Sequence, residues 1–439
     1  MYDPLSDTQL ESNQPSPNSY WEAHSQVHWP HTGQLPEHTD VLVIGAGYTG
    51  LNAAITLTER YGRETTVIDA NRLAWGCSSR NAGFVMKSTG RLGLAQWQQR
   101  FSPTVARAVA DEHQRALELI QQRLEGAADH CDAQYGGYIK LAHRPRAVAT
   151  LQQQFQTLKH YQQPVSWLDG GDLQDYLHSQ HAHAGLKFDD CFTVNPLKLA
   201  ATTAQQAAQA GANLVEQCSA NNIQRLAEGW RVSTSAGDIS CNKLLLCTNA
   251  YTANRLLTEL SGRSLPVLSS IITTPPLTDE QLRGCGLQSQ HAYMDTRTLK
   301  YYFRLLPDKR LLMGGRGAIR GRHADDPFYA QHLLSALQRS FPALRSIHKW
   351  EHFWSGWVSV SLDDYPRVRA IGDNLYASMG YCGAGVSFSA LAGQRLAEAA
   401  MGDKLPDLPY YKTPLKRFPL ASLRRLGQWA FYHYARMTE

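Results

Sequence analysis

The sequence predicts an α/β protein in which a doubly wound, parallel-sheet domain is interrupted by a second, α+β domain of antiparallel and mixed sheet. Three observations predict it. A continuous apolar run, Val41-Leu42-Val43-Ile44, leads into a glycine-rich turn and an amphipathic stretch; strand and helix alternate again near the far end, from Leu375 to Met401; and the middle mixes long helical runs with alternating strands. At 439 residues, 43% hydrophobic and 18% charged, with 33 Gly and 20 Pro, the chain has room for two or three domains, and its ordinary composition excludes collagen-like, coiled-coil and wholly disordered classes.

The elements follow in order. The opening segment, to about Thr39, is rich in Gln, Ser, Pro, Asn and His without a period, so it reads as an arm laid over the surface or partly disordered. Val41 to Ile44 carries the mark of a strand buried on both faces. Leu51, Ala54, Ile55 and Thr58 then recur at helical spacing, and a second strand, Thr65 to Ile68, ends in Asp69. Helices are expected over residues 100–123, 147–161 and 196–212, with a turn into a strand at 135–141. Further strands are expected at 213–216, in a hairpin over 222–240, and at 243–250, 267–274, 300–306, 310–313 and 375–379; a helix over 387–401 follows. The division this implies is an arm at 1–38, a first domain at 39–95, 195–262 and 355–408, a second at 96–194 and 263–354, and a tail at 409–439.

Eight cysteines (Cys77, Cys131, Cys191, Cys218, Cys241, Cys247, Cys285, Cys382) form no CxxC or zinc spacing and are expected as reduced thiols. Residues 1–20 lack a basic start and an apolar stretch, so no secretory signal is read and a cytoplasmic compartment is expected. No run approaches the ~18–20 apolar residues of a membrane-spanning helix. The net charge of +5 resides in the tail, where Lys412, Lys416, Arg417, Arg424, Arg425 and Arg436 face the single acid Glu439; the body is neutral, which speaks against a nucleic-acid-binding surface. In that tail Leu423, Leu426, Ala430 and Tyr434 share a helical stripe, with Arg424, Arg425 and Trp429 beside it. Two readings are open: a basic amphipathic helix making peripheral contact with the inner face of an anionic membrane, or a stripe docked on the first domain.

Gly45-Ala46-Gly47-Tyr48-Thr49-Gly50 is a GxGxxG turn between a buried strand and a helix, and Asp69 arrives nineteen residues after Gly50 at the end of the next strand. That context is a dinucleotide fingerprint: glycines for the tight turn, for backbone approach to a pyrophosphate and for helix packing, with the acid on an adenosine ribose. The turn alone does not separate NAD from FAD. Two further segments bear on the choice, residues 75–85 (Trp-Gly-Cys-Ser-Ser-Arg-Asn-Ala-Gly-Phe-Val) and 380–386 (Gly-Tyr-Cys-Gly-Ala-Gly-Val).

With these and the segments 19–23, 248–251, 301–315, 354–356 and 363–366, the sequence resembles the D-amino-acid oxidase superfamily of FAD-dependent amine oxidoreductases, and within it the gamma-glutamylputrescine oxidase-like branch. The resemblance covers nearly the whole chain. It implies a Rossmann-like FAD domain of the glutathione-reductase type and FAD contacts from Gly45, Gly47, Tyr48, Thr49, Gly50, Asp69 and Ala70, with Ala220 and Thr248 along the way. It places the ring near Ser78, Ser79, Arg80, Asn81, Ala82, Gly83, Gly383, Ala384, Gly385 and Val386. The branch usually shows Asn-Gly-Gly and Gly-His-Gly where this chain has Asn81-Ala82-Gly83 and Gly383-Ala384-Gly385. Sarcosine-oxidase relatives tether FAD through a cysteine near the segment here numbered 358–362; none is present, so FAD is expected to be held without a covalent bond. Those relatives also set a lysine over the flavin where the alignment here gives Leu312, which leaves O2 and a quinone both open as electron acceptor.

Amine oxidation needs a neutral amine positioned and desolvated. If residues 300–306 alternate as a strand, Tyr302 and Arg304 share one face and Tyr301 and Phe303 the other, and either face can look at the ring. On the first reading Arg304 anchors a substrate carboxylate and Tyr302 caps the amine; on the other, Arg304 is satisfied by a nearby acid. Arg316, Trp354, Trp357 and Tyr381 are further candidates. His178, His181 and His183 lie in a polar stretch that no carboxylate or cysteine completes, so no metal site is expected. The expected function is FAD-dependent oxidation of a C–N bond in a small amine or amino acid, without an obligatory protein partner. The alternative is a flavin-holding accessory protein that turns over no amine.

Overall fold

The computed structural model describes residues 1–438 and contains two large sheets. The first has eight strands, six of them in the order Arg367–Gly372, Leu375–Met379, Gly237–Leu246, His38–Ile44, Thr65–Ile68, Asn213–Val215. His38–Ile44 runs parallel to both neighbours, the arrangement a continuous apolar run requires, since Val41, Leu42 and Val43 are all buried. Val41 and Val43 point into a helical layer with the helices Tyr48–Tyr61, Pro196–Gln209 and Val386–Ala400. Leu42 and Ile44 point the other way, onto Trp230 and Val232 of the remaining strands. This is the doubly wound layer predicted.

The second sheet also has eight strands, ordered His352–Val360, Leu265–Thr273, Leu311–Arg316, Tyr302–Leu305, Ala292–Asp295, Tyr138–Leu141, Gly185–Phe188, Val165–Leu168. It is antiparallel except where Ala292–Asp295 pairs with Tyr138–Leu141, hence the mixed sheet expected of the inserted region. One face packs Phe303, Met313 and Tyr293 on the helix Pro327–Ser340. The other carries Tyr302, Arg304 and Leu312 towards residues 81–83.

Three departures from the sequence reading have local causes. The helix expected over 100–123 starts at Pro103 and runs to Arg123, because the Ser102 hydroxyl accepts from the Val105 N–H (3.2 Å) and Pro103 opens the first turn; a separate helix, Leu94–Arg100, precedes it and was not expected. The hairpin of 222–240 is a three-stranded meander, Ala220–Arg225, Trp230–Thr234 and Gly237–Leu246, whose last strand continues into the sheet core. The arm is ordered along the surface: it carries the short helix Tyr20–His24 and buries Tyr2, Asp3, Tyr20 and Trp21. All eight cysteines are free, and among the described residues no helix is long and apolar enough to cross a membrane.

A buried ionic knot ties the helical layer together. Glu112, on Pro103–Arg123, accepts from Arg395 Nη2 (2.7 Å) and from the Tyr411 hydroxyl (2.5 Å), while Arg395 Nη1 reaches Glu398 (2.7 Å). Removing one member leaves the other charges in the dry layer, so Glu112→Ala is expected to cost about 3–5 kcal/mol in denaturant melts. Glu112→Gln keeps an acceptor for the hydroxyl and is expected to cost less.

Candidate active site

The glycine turn is dictated by backbone approaches that leave no room for side chains. Gly45 sits at φ +103°, and a Cβ there would lie 3.0 Å from the Cys247 carbonyl. A Cβ on Gly50 would lie 1.9 Å from the Gly45 oxygen, so the helix Tyr48–Tyr61 packs onto its own entry turn. Its first turn contains no acid, and the Tyr48 N–H is held by Ser78 Oγ at 3.0 Å. Asp69 closes the adjoining strand: Oδ2 accepts from the Ala46 N–H (2.9 Å) and Oδ1 from the Asn71 N–H (3.1 Å). Burial pushes its carboxyl up to about 6 against those two bonds.

A second helix N-terminus opens onto the same place. Val386–Ala400 starts after Gly385 with no side-chain cap and no acid in its first turn. It lies so close to Tyr48–Tyr61 that a Cβ on Gly393 would sit 2.1 Å from the Thr49 carbonyl oxygen. Beside them, the Tyr381 hydroxyl bonds Thr49 Oγ1 (2.8 Å) and Ser378 Oγ (2.5 Å).

Between the two helix starts runs a groove of about 1280 Å³, its open part included. Of the residues expected at a cofactor, the groove is lined by Gly45, Gly47, Tyr48, Thr49, Asp69, Ala70, Ser78, Asn81, Ala220, Thr248, Gly383, Gly385 and Val386. Gly50, Ser79, Arg80, Ala82, Gly83 and Ala384 are not on its wall. Sequence reasoning missed Tyr2 and Leu10 of the arm, as well as Trp75, Tyr251 and Val358. Tyr2 enters the groove with a buried hydroxyl that no described residue bonds, while its carbonyl accepts from Trp357 Nε1 (2.6 Å). No local pattern announced that reach. The Cys77 thiol, also on the wall, is pushed up to about 11 by burial and is therefore no thiolate at neutral pH.

The segment from Trp75 to Gly83 is held from behind. Buried Arg80 stacks on Trp75 (4.4 Å) and donates to the Gly76 carbonyl (3.0 Å). Trp21 Nε1 donates to the Asn81 carbonyl (2.9 Å) and Trp354 Nε1 to the Arg80 carbonyl (2.8 Å). Arg304 is wholly buried, its Nη1 donating to the carbonyls of Val194 (3.0 Å) and Ala82 (3.3 Å), with Nε and Nη2 unbonded by described residues. The facing ambiguity is thereby resolved, for the Tyr302–Arg304 face meets this segment while Tyr301 and Phe303 face the helix Pro327–Ser340. Arg304 thus makes no ion pair with an acid, and its bonded nitrogen serves backbone carbonyls. The Tyr302 hydroxyl meets Ser269 Oγ at 2.9 Å, and its ring lies across Gly314. Arg316, two residues along on the same face, is half-buried and bonded by no described side chain. The stretch with His178, His181 and His183 lies apart from the groove.

Comparison with known proteins follows this geometry. A family model described as "FAD dependent oxidoreductase" matches residues 40–399. The chain is 29% identical over 382 residues to gamma-glutamylputrescine oxidoreductase of Escherichia coli K12, covering 85% of this chain and 88% of that protein. It is 24% identical to the sarcosine oxidase subunit beta of Rhizobium meliloti, over 81% and 83% of the two chains. In fold it is similar to glycine oxidase from Geobacillus kaustophilus (TM-score 0.70, 20% identity, 88% and 100% covered) and to L-proline dehydrogenase from P. horikoshii (0.72, 18%, 90% and 99%).

The backbone contact at Gly393 is what sets the spacing of the two helix starts. Gly393→Ala is expected to lower thermal stability, by roughly 1–3 kcal/mol for an overpacked site, whereas Ala397→Gly, in the same helix, leaves the contact in place and is expected to show only the ~1 kcal/mol helix penalty. A melting curve for each variant checks this.

Proposed function

The chain belongs to the family of FAD-dependent oxidoreductases, and we propose that it oxidises a C–N bond of a small amine or amino acid. The observation that carries the proposal is that Asn81 lines the groove while Ala82, the next residue, packs against the Tyr302–Arg304 face of the second sheet, which brings that face next to a ring held at Asn81 and Gly383–Val386. The amine substrates named in the relatives, gamma-glutamylputrescine and sarcosine, support that class.

The groove fits FAD. Its two acid-free helix starts suit a pyrophosphate, and Asp69, which keeps accepting capacity beyond its two backbone bonds, suits the ribose hydroxyls. We assign pyrophosphate contact to the Gly45–Thr49 turn, adenosine contact to Asp69, Ala70 and Ala220, and ring contact to Ser78, Asn81, Gly383, Gly385 and Val386, with Thr248 between. Gly50, Ser79, Arg80, Ala82, Gly83 and Ala384 shape these elements from behind. When bound, FAD would supply the two-electron acceptor for a hydride from an amine carbon whose nitrogen lone pair closes a C=N bond, the imine then being open to hydrolysis by water and the electrons to O2 or a quinone. Residues 358–362 include no cysteine, which supports a non-covalent attachment.

The chain's own residues position and desolvate. Burial raises the Tyr302 phenol, which stays protonated and donates towards the substrate or to Ser269. Arg304 acts as a positioning residue by fixing the Ala82 and Val194 carbonyls. Arg316 takes the carboxylate when the substrate has one, supported by Lys300, whose amine is pushed down to about 7 by burial and by Lys140, Arg91 and Arg316. Leu312 is buried among Trp21, Leu197 and Trp354, so that position supplies no cation for oxygen. We further propose a division into two domains with an arm and a tail, and a cytoplasmic site of action.

Asp69 links cofactor affinity to pH. Ribose hydroxyls bind its ionised form, so FAD affinity of the apoprotein is expected to rise by up to about tenfold per pH unit below 6 and to level off above. Asp69→Asn abolishes that slope in an equilibrium titration. For substrate, anaerobic addition of polyamines, gamma-glutamyl amines and N-methyl or cyclic amino acids is expected to bleach the flavin band with at least one compound, and readmitted air separates oxidase from dehydrogenase. Arg316→Met is expected to raise KM for carboxylate-bearing amines by roughly 10–100-fold and to spare those without one. A flavin band that no amine changes would overturn the proposal.

A further inference from the structure

The C-terminal helix Arg424–Thr438 is docked inside out. Of eleven large apolar side chains exposed among the described residues, seven belong to it or its lead-in: Leu420, Leu423, Leu426, Trp429, Phe431, Tyr434 and Met437. Its buried side is polar instead. Arg424 donates to Asn254 Oδ1 (2.9 Å), and Arg425 donates to the Pro266 carbonyl (2.7 Å) and Asp3 (2.6 Å) while lying over the Trp357 ring. The stripe of Leu423, Leu426, Ala430 and Tyr434 thus faces solvent, against the expectation that it packs on the first domain, because the two arginines find carbonyls and a carboxylate that a leucine face could not satisfy.

From this face and its charge we infer that the helix lies in the surface of an anionic lipid bilayer, apolar stripe inward. Arg417 and Arg436 are exposed beside it, Lys412 and Lys416 are exposed in the segment leading to it, paired with Asp407 and Asp363, and residues 412–438 contain no acid. Arg146 at the far end donates to the Thr438 carbonyl (3.1 Å) and extends the basic border. Leu, Trp, Phe and Tyr on one side with cations beside them is the composition of an interfacial helix, and each cation near an anionic leaflet adds attraction. A second copy of the chain is a poorer occupant. Pairing would bring Arg417 and Arg436 of each copy together, where an anionic surface would attract them.

The inference is independent of substrate and cofactor and is read without turnover. The full-length protein is sedimented with sucrose-loaded vesicles of phosphatidylcholine and phosphatidylglycerol in equal parts, and with phosphatidylcholine alone. Binding is expected to the anionic vesicles, to weaken at ~1 M salt where the screening length falls to about 3 Å, and to drop roughly tenfold or more in Leu426→Glu/Trp429→Glu. Both substituted side chains are exposed, so the melting temperature is expected to hold, which keeps a loss of binding interpretable. A wild-type protein that stays in the supernatant, or a double variant that binds as tightly, would overturn the inference. So would a sedimentation-velocity dimer that the double variant dissociates, since the face then belongs to a second copy.

Discussion

The arrangement depends on one close approach, the backbone contact between the helices Tyr48–Tyr61 and Val386–Ala400. At Gly393 the second helix comes within reach of the Thr49 carbonyl and the Ala53 N–H, where a Cβ would be 2.1 and 2.9 Å away. At Gly50 the first helix comes equally close to its own turn. Each helix start carries about half a positive charge, and bringing two together without an acid between them concentrates field at one end of the sheet. That end is also where the parallel strands finish, the place where doubly wound sheets bind ligands. Glu398 ties the same pair through Arg60 Nη1 (2.9 Å), and Arg395 joins the second helix to Glu112 of Pro103–Arg123.

The segment from Trp75 to Gly83 shows how the rest of the molecule serves that site. Its carbonyls are bonded by Trp21 of the arm and by Arg304 and Trp354 of the second sheet, three regions far apart in the chain. The wall of the groove is therefore set by tertiary contacts on both sides, and the arm is a structural part of it: Tyr2 lines the groove, and Asp3 is fixed by Arg425 and by the Gly321 N–H (3.0 Å). The two ends of the chain meet at Asp3. The C-terminal helix thus spends its charges on docking and leaves its apolar side outward.

What the sequence made legible is what local chemistry determines. The strand, the GxGxxG turn, Asp69 and the glycine-rich start of the last helix each announce themselves within a few residues, because steric limits on φ and on close approach act at that range. Alternation at 300–306 separated Tyr302 and Arg304 from Tyr301 and Phe303 but gave no facing, which depends on the helix Pro327–Ser340 covering the other side. The same limit hid the burial of Arg304, whose partners are carbonyls at 82 and 194. The helix start at Ser102-Pro103 was readable from its cap and proline and was overlooked in a run of helical periodicity. For the tail helix, periodicity records a stripe without recording what it meets, which leaves membrane contact and docking on the first domain both open.

The account's central claim is that a flavin is held, without a covalent bond, in the groove between the two helix starts. Its most direct measurement is the visible spectrum of the purified protein, followed by acid precipitation and chromatography of the supernatant. The account predicts a yellow protein that releases FAD quantitatively into the supernatant. Colour that stays with the pellet would contradict the non-covalent attachment, and a colourless protein that FAD cannot reconstitute would contradict the site itself.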